Sequence, residues 1–179
     1  MKFTLSWMRD FVDIPDMELD RIVETFESLG HEVEECRVIE PAFSGVVVGE
    51  VIDVKPHPNA DKVRLTTVDV GTEVLEIICG AWNFEAGAVV PVAVPGAVLG
   101  DDFEITRREI RGVTSNGMIC SEVELGLGDE ASGIMVLNHD YPDAATSLGH
   151  PFETVIGLPD AWFEIDVTPN RPDCLSVYG

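Results

Sequence analysis

Only three lysines (Lys2, Lys55 and Lys62) occur in the 179 residues, and with eight arginines they face 33 acidic side chains for a net charge of −22. A field of that sign repels a phosphate backbone at long range, so any nucleic-acid contact has to come from a local patch or a partner subunit. Cysteine is sparse as well. Cys36, Cys79, Cys120 and Cys174 form no CxxC pair, which excludes a disulfide scaffold and a zinc site of ordinary spacing, and leaves four reduced thiols as the expectation. His31, His57, His139 and His150 are scattered, with no HExxH pattern. Long apolar runs are missing: nothing approaches the roughly 20 residues of a membrane span. The opening Met-Lys-Phe-Thr-Leu-Ser-Trp has no long apolar signal region and is soon broken by Arg9 and Asp10, so a secretory leader is not expected there. A soluble, cytoplasmic protein is expected. Ser115 and Ser121 have no nearby histidine with an orienting acid, so a hydrolytic triad is unsupported. Low-complexity tracts and internal repeats are absent.

What the chain does have is a 45% hydrophobic fraction, enough for a packed core, and a change of pattern along its length. Residues 1–39 read α then β. Ser6 is a plausible N-cap for a short helix through Val12. Asp16 is the expected cap of a second helix over 17–29, where Leu19, Ile22, Val23, Phe26 and Leu29 recur at three- and four-residue spacing. Gly30 is a left-handed stop, and 31–39 alternates as a strand. From Gly45, β-branched runs at 46–54, 63–70, 74–79, 89–94, 103–110 and 134–137 are separated by Gly, Pro, Asn and Asp. A hairpin is expected around Gly71, and one helical turn at 121–127. So many strands without long helices argue for a small closed or partly closed barrel. From about Pro151 the pattern changes again, to a strand at 162–167 and a two-proline corner, Thr168-Pro169-Asn170-Arg171-Pro172-Asp173-Cys174. The polar groups of that corner, Asp166, Asn170, Arg171 and Asp173, read as bonding its backbone or a neighbouring domain. The stop at Gly179 without a capping signal reads as a piece of something longer. The net charge is −6 over 1–39, −12 over 40–151 and −4 over 152–179.

The most informative stretch is His57-Pro58-Asn59-Ala60-Asp61-Lys62-Val63-Arg64, a Pro/Asn/Asp turn that with Lys55 gathers three of the eleven basic residues. Cys79-Gly80-Ala81 and Arg111-Gly112-Val113-Thr114-Ser115-Asn116-Gly117-Met118-Ile119-Cys120-Ser121-Glu122 accompany it. Together they resemble the tRNA-binding oligonucleotide-binding barrel of aminoacyl-tRNA synthetases and their accessory proteins. Further motifs run in order on either side: Leu5-Ser6-Trp7, Leu29-Gly30-His31-Glu32-Val33, Pro95-Gly96-Ala97-Val98-Leu99, Glu124-Leu125-Gly126-Leu127, and Asp166-Val167 leading into the two-proline corner. With these the whole chain resembles the N-terminal part of the β subunit family of bacterial phenylalanyl-tRNA synthetases.

The resemblance implies an α+β fold: a five-stranded oligonucleotide-binding β-barrel at 40–151, inserted into a small α/β domain made of 1–39 and 152–179. It implies partnership with tRNA and with an α subunit in an α2β2 holoenzyme. ATP and magnesium would belong to the holoenzyme, and no catalytic residue, cofactor or metal to this segment. Two rival readings are a barrel that docks within the synthetase without touching RNA, and a stand-alone tRNA-binding protein. Two departures stand out: Trp82, where many relatives carry a smaller residue or proline, and the barrel's poverty in lysine.

The candidate RNA-contacting residues are Lys55, His57, Asn59, Lys62, Arg64, Arg108, Arg111 and Asn116. The basic turn either meets phosphate and ribose or pairs internally with Asp53, Asp61 and Asp69. Arg107 and Arg111 alternate with Arg108 along one expected strand, and Arg111 either meets a phosphate or holds its own turn. Trp82, Phe84 and Phe103 are either base-stacking surfaces or core.

Overall fold

The computed structural model describes residues 1–100 and 102–177. In chain order the elements are β1 (Lys2–Thr4), α1 (Leu5–Arg9), α2 (Leu19–Ser28), β2 (Glu32–Ile39), β3 (Phe43–His57), β4 (Ala60–Asp69), β5 (Val74–Cys79) and β6 (Val89–Leu99). There follow β7 (Phe103–Glu104), β8 (Arg108–Ile110), β9 (Val113–Ser115), β10 (Met118–Ile119), α3 (Glu122–Leu125), α4 (Phe152–Val155) and β11 (Asp160–Asp166), with 3-10 turns at Pro142–Thr146 and Pro172–Leu175. The chain is mostly β-sheet with few, short helices. It divides into two compact units, Met1–Glu40 with Gly157–Gly179, and Pro41–Ile156. Residues 178 and 179, at the end of the expected 152–179 segment, lie outside the described residues. No described helix is long and apolar enough to cross a membrane.

The first unit is an antiparallel sheet of order β1-β11-β2 with α1 and α2 packed on it. Phe3, Phe26 and Phe163 meet in its core at ring separations of 5.7–5.8 Å. Its helix starts differ from expectation. Thr4, not Ser6, caps α1, accepting the Trp7 amide at 3.2 Å, because Ser6 is engaged elsewhere: its hydroxyl donates to Asp160. The second helix begins at Leu19 without a side-chain cap, and Asp16 instead pairs with Arg9 at 3.2 Å. Gly30 does end that helix in the left-handed region, at φ 87°. In the two-proline corner Arg171 pairs with Asp173 at 3.0 Å.

The second unit is built on a six-stranded antiparallel sheet of order β10-β6-β3-β4-β5, with β7 added on β6. The strand ladder is open between β5 and β10. That seam is bridged by single bonds, the Ile78 amide to Ser115 Oγ at 3.0 Å and the Asn116 amide to Glu76 O at 2.9 Å. Two apolar clusters fill the interior, one around Phe43, Val48, Leu125 and Leu137, the other around Val51, Val68, Ile77 and Val90. Phe152 is fully buried in the first cluster, stacked on Phe43 at 5.8 Å. The segment 152–156, expected with the terminal α/β segment, therefore packs with the sheet unit.

Two expected strands are corrected. Residues 134–137 form no strand, because their polar groups go three ways: Ile134 is clasped by the Asn83 side chain, Met135 N–H donates to Cys120 O, and Leu137 N–H donates to Val89 O. The expected strand 103–110 is split. Residues 103–104 pair with β6, whereas β8 leaves to form its own hairpin with β9. The Gly71 hairpin forms, with Asp69 opposite Val74 and Gly71 at φ 79°.

Candidate nucleic-acid interface

The turn 57–64 proves to be the tip of the long β3–β4 hairpin. His57 and Ala60 face each other across a two-residue connection, Pro58-Asn59. Ahead of it a register shift between Pro56 and His57 turns the His57 side chain inward. His57 is buried, and its Nδ1 accepts the Asn59 amide at 3.1 Å. It organises the turn and is not available on the surface. A second tip lies against the first. Arg111 and Gly112 connect β8 to β9 with φ of 51° and 84°, the two positive values that a tight two-residue turn of this hand requires. Asn59 Nδ2 donates to Arg111 O at 3.0 Å, joining the two tips.

Arg64 is the main correction. Burial alternates along β4, with Arg64, Thr66 and Val68 inward, so the guanidinium enters the interior and the residue is 5% exposed. It donates to Ala81 O and Phe84 O, both at 3.0 Å, and pairs with Glu85 at 3.6 Å. It also contacts the rings of Phe84 at 4.4 Å and Trp82 at 4.9 Å. A charge this deep persists only when paired and hydrogen-bonded. The loop after Cys79-Gly80-Ala81 supplies those partners. Phe84 is core, whereas Trp82 is 61% exposed.

The remaining candidates divide by partner. Lys55 is exposed but bonded to Asp53, which raises its pKa and lowers that of the carboxyl. Asn116 is held by Glu76 O, through its amide at 2.9 Å and its side chain at 3.4 Å. Lys62, Arg108 and Arg111 are exposed. Arg107 is too, and it makes a fourth with them. Among the described residues these four form no ion pair, whereas the other seven basic side chains each have a carboxylate partner. All four lie on the two joined hairpins or the segment entering β8. Arg108 sits over Phe103 at 5.4 Å beside a cavity of about 170 Å³ on the open seam, floored by Ile78, Ile105 and Met118. Sequence reasoning did not single out Met118 or Ile110 in this lining. The cavity exists only because β5 and β10 do not pair, and no local pattern announces that. Among the described residues no group of three or more His, Cys, Asp or Glu could hold a metal ion.

A β-rich unit with unpaired cations on and beside two adjoining hairpins has the makings of an RNA-facing module, and comparison with known proteins agrees. A family model described as "Putative tRNA binding domain" matches residues 46–146, more than half of the chain, and the chain belongs to that family. Over its whole length it is 47% identical to the phenylalanine–tRNA ligase beta subunit of Geobacter sulfurreducens and 43% identical to that of Hahella chejuensis. In each case it covers 100% of this chain and 22% of the relative, so it spans under a quarter of the length of the curated relatives it matches. Among solved structures, a MetRS related protein from Pyrococcus horikoshii superposes with a TM-score of 0.43 at 14% identity, covering 77% of this chain and 98% of that one.

Proposed function

We propose that this chain is the tRNA-binding accessory portion of a bacterial phenylalanine–tRNA ligase β subunit, with no active site of its own. The observation that carries the reading is the set of four cations left without carboxylate partners, Lys62, Arg107, Arg108 and Arg111, in a chain with three acids for every base. Among the described residues the other seven basic side chains each have a carboxylate partner; these four do not, and a phosphate is the partner that such cations accept. In this reading the sheet of 41–156 is an oligonucleotide-binding barrel of five principal strands, inserted in the sequence between the two parts of the α/β unit. The antiparallel meander β3–β4–β5 and the return of β6 to the other side of β3 support it. The complete enzyme would be cytoplasmic, would pair this subunit with an α subunit in an α2β2 assembly, and would use ATP and magnesium to join phenylalanine to tRNA. Those steps would take place outside the segment described.

The test is a titration of the 179-residue chain with tRNA at increasing salt. Binding is expected to be weak and to weaken further with salt, since each phosphate contact releases counterions. Lys62→Ala with Arg111→Ala is expected to flatten the salt slope by roughly one unit per lost contact. A slope unchanged in the double variant overturns the patch. The barrel's net charge of −12 favours a second reading, a module that docks on protein, and absence of tRNA binding even at low salt selects it.

A further inference from the structure

Among the described residues of the sheet unit Trp82 is the most exposed aromatic side chain, ahead of Phe103 at 47%. It is 61% exposed, yet one side of its indole is fixed by the Arg64 guanidinium, itself locked by Ala81 O, Phe84 O and Glu85. A buried cation is a costly way to hold an exposed ring, because burying a guanidinium forfeits its hydration. That expense is out of proportion for a loop that Phe84 already anchors in the core at 4% exposure. The outcome is a flat apolar surface with little conformational freedom left to lose. Strand β4 links the residue beneath the ring to the charged hairpin: Lys62 stands two residues before Arg64, and the Val63 side chain lies 4.0 Å from where a Cβ on Gly80 would be.

We infer that Trp82 is a stacking platform for an unpaired nucleobase, with Lys62 placed to meet the adjoining phosphate. The inference rests on the RNA-binding reading above and makes it more specific. Stacking uses the π-face of any base and needs no hydrogen-bond code. A duplex has already spent those faces on its own stack, so the platform selects bases that a loop or an end turns outward. Arg64 acts as a positioning residue. It touches no RNA and fixes the plane of the ring.

The experiment uses the 179-residue chain carrying Trp7→Phe and Trp162→Phe, so that Trp82 is the sole source of tryptophan fluorescence. A short oligoadenylate is expected to quench it saturably, whereas the same strand annealed to oligouridylate does not. With binding read instead from the anisotropy of an end-labelled oligoadenylate, Trp82→Ala is expected to lose about tenfold in affinity at an unchanged salt slope, and Trp82→Phe to keep most of it. Arg64→Gln is expected to lower the fluorescence anisotropy of Trp82 in the free protein and to weaken oligoadenylate binding, again at unchanged slope. Because Trp82 is exposed, its variants keep the fold even if Arg64→Gln does not. Equal quenching by strand and duplex, or full affinity in Trp82→Ala, overturns the platform while tRNA binding with a Lys62- and Arg111-dependent slope leaves the broader reading intact. If neither tRNA nor oligoadenylate binds, both fall.

Discussion

Cys120 has no exposed surface, and burial pushes its thiol pKa from an ordinary 9.0 up to about 12, with the Glu124 carboxylate adding to the shift. The folded chain thus holds this proton more tightly than the unfolded chain does. That contribution to stability is complete below pH 9 and is lost as the pH climbs toward 12, at about 1.4 kcal/mol per pH unit. Denaturant melts at rising alkaline pH should show the parent losing stability faster than Cys120→Ala. Equal slopes would mean that the thiol is not the group responsible. Cys79, also raised by burial, should behave the same way, and both should resist alkylation in the native state at neutral pH. Arg64 carries the opposite lesson about a single residue. Its inward direction was legible, since it shares strand parity with Thr66, Val68 and Val70. Its charge argued for the surface and obscured that parity. The partners that make burial tolerable, Ala81 O, Phe84 O and Glu85, come about twenty residues later in the chain, where no local pattern links them to it.

Among the elements, β10, one of the two shortest strands, is sensitive to a one-atom change beside it. Gly117 precedes β10 with φ 144°, and a Cβ there would lie 2.7 Å from Ala93 O, on the strand with which Met118 and Ile119 pair. Gly117→Ala is therefore expected to cost at least about 3 kcal/mol, combining backbone strain with a contact that only a shift of β10 relieves. Gly112→Ala, five positions earlier, meets nothing closer than Asn59 Nδ2 at 3.7 Å and should cost only the left-handed strain, roughly 1–2 kcal/mol. Chemical denaturation of the two variants checks the difference, and equal losses would refute the steric argument. The longer elements were readable because local chemistry and packing agree in them, as at the Gly30 stop, the Gly71 hairpin and the alternating runs of β4 and β5. The split of 103–110 into β7 and β8 was not readable. Its apolar and basic residues suit one strand, and only competition between β6 and β9 for hydrogen bonds breaks it. Residues 134–137 look like a strand for the same local reasons, but they spend their backbone groups on Asn83, Cys120 and Val89.

For the whole molecule, charge acts on stability and on binding with opposite signs. Among the described residues seven of the eleven cations are paired with carboxylates, yet apart from Arg64 these are solvent-exposed pairs, and such pairs add little to stability. They offset little of the self-repulsion of a net −22 chain. Raising ionic strength shortens the screening length from about 30 Å at 0.01 M to about 8 Å at 0.15 M, which relieves that repulsion but also weakens the pull of Lys62, Arg107, Arg108 and Arg111 on phosphate. The melting temperature of the free chain is accordingly expected to rise with added salt over the same range in which its affinity for tRNA falls. Lys62→Ala with Arg111→Ala should leave the first trend in place, since removing two cations only deepens the net negative charge, and should flatten the second. A melting temperature that fell with salt would show that paired charges outweigh repulsion in this fold, and the four unpaired cations would then lose their standing as the exception on an otherwise repelling surface.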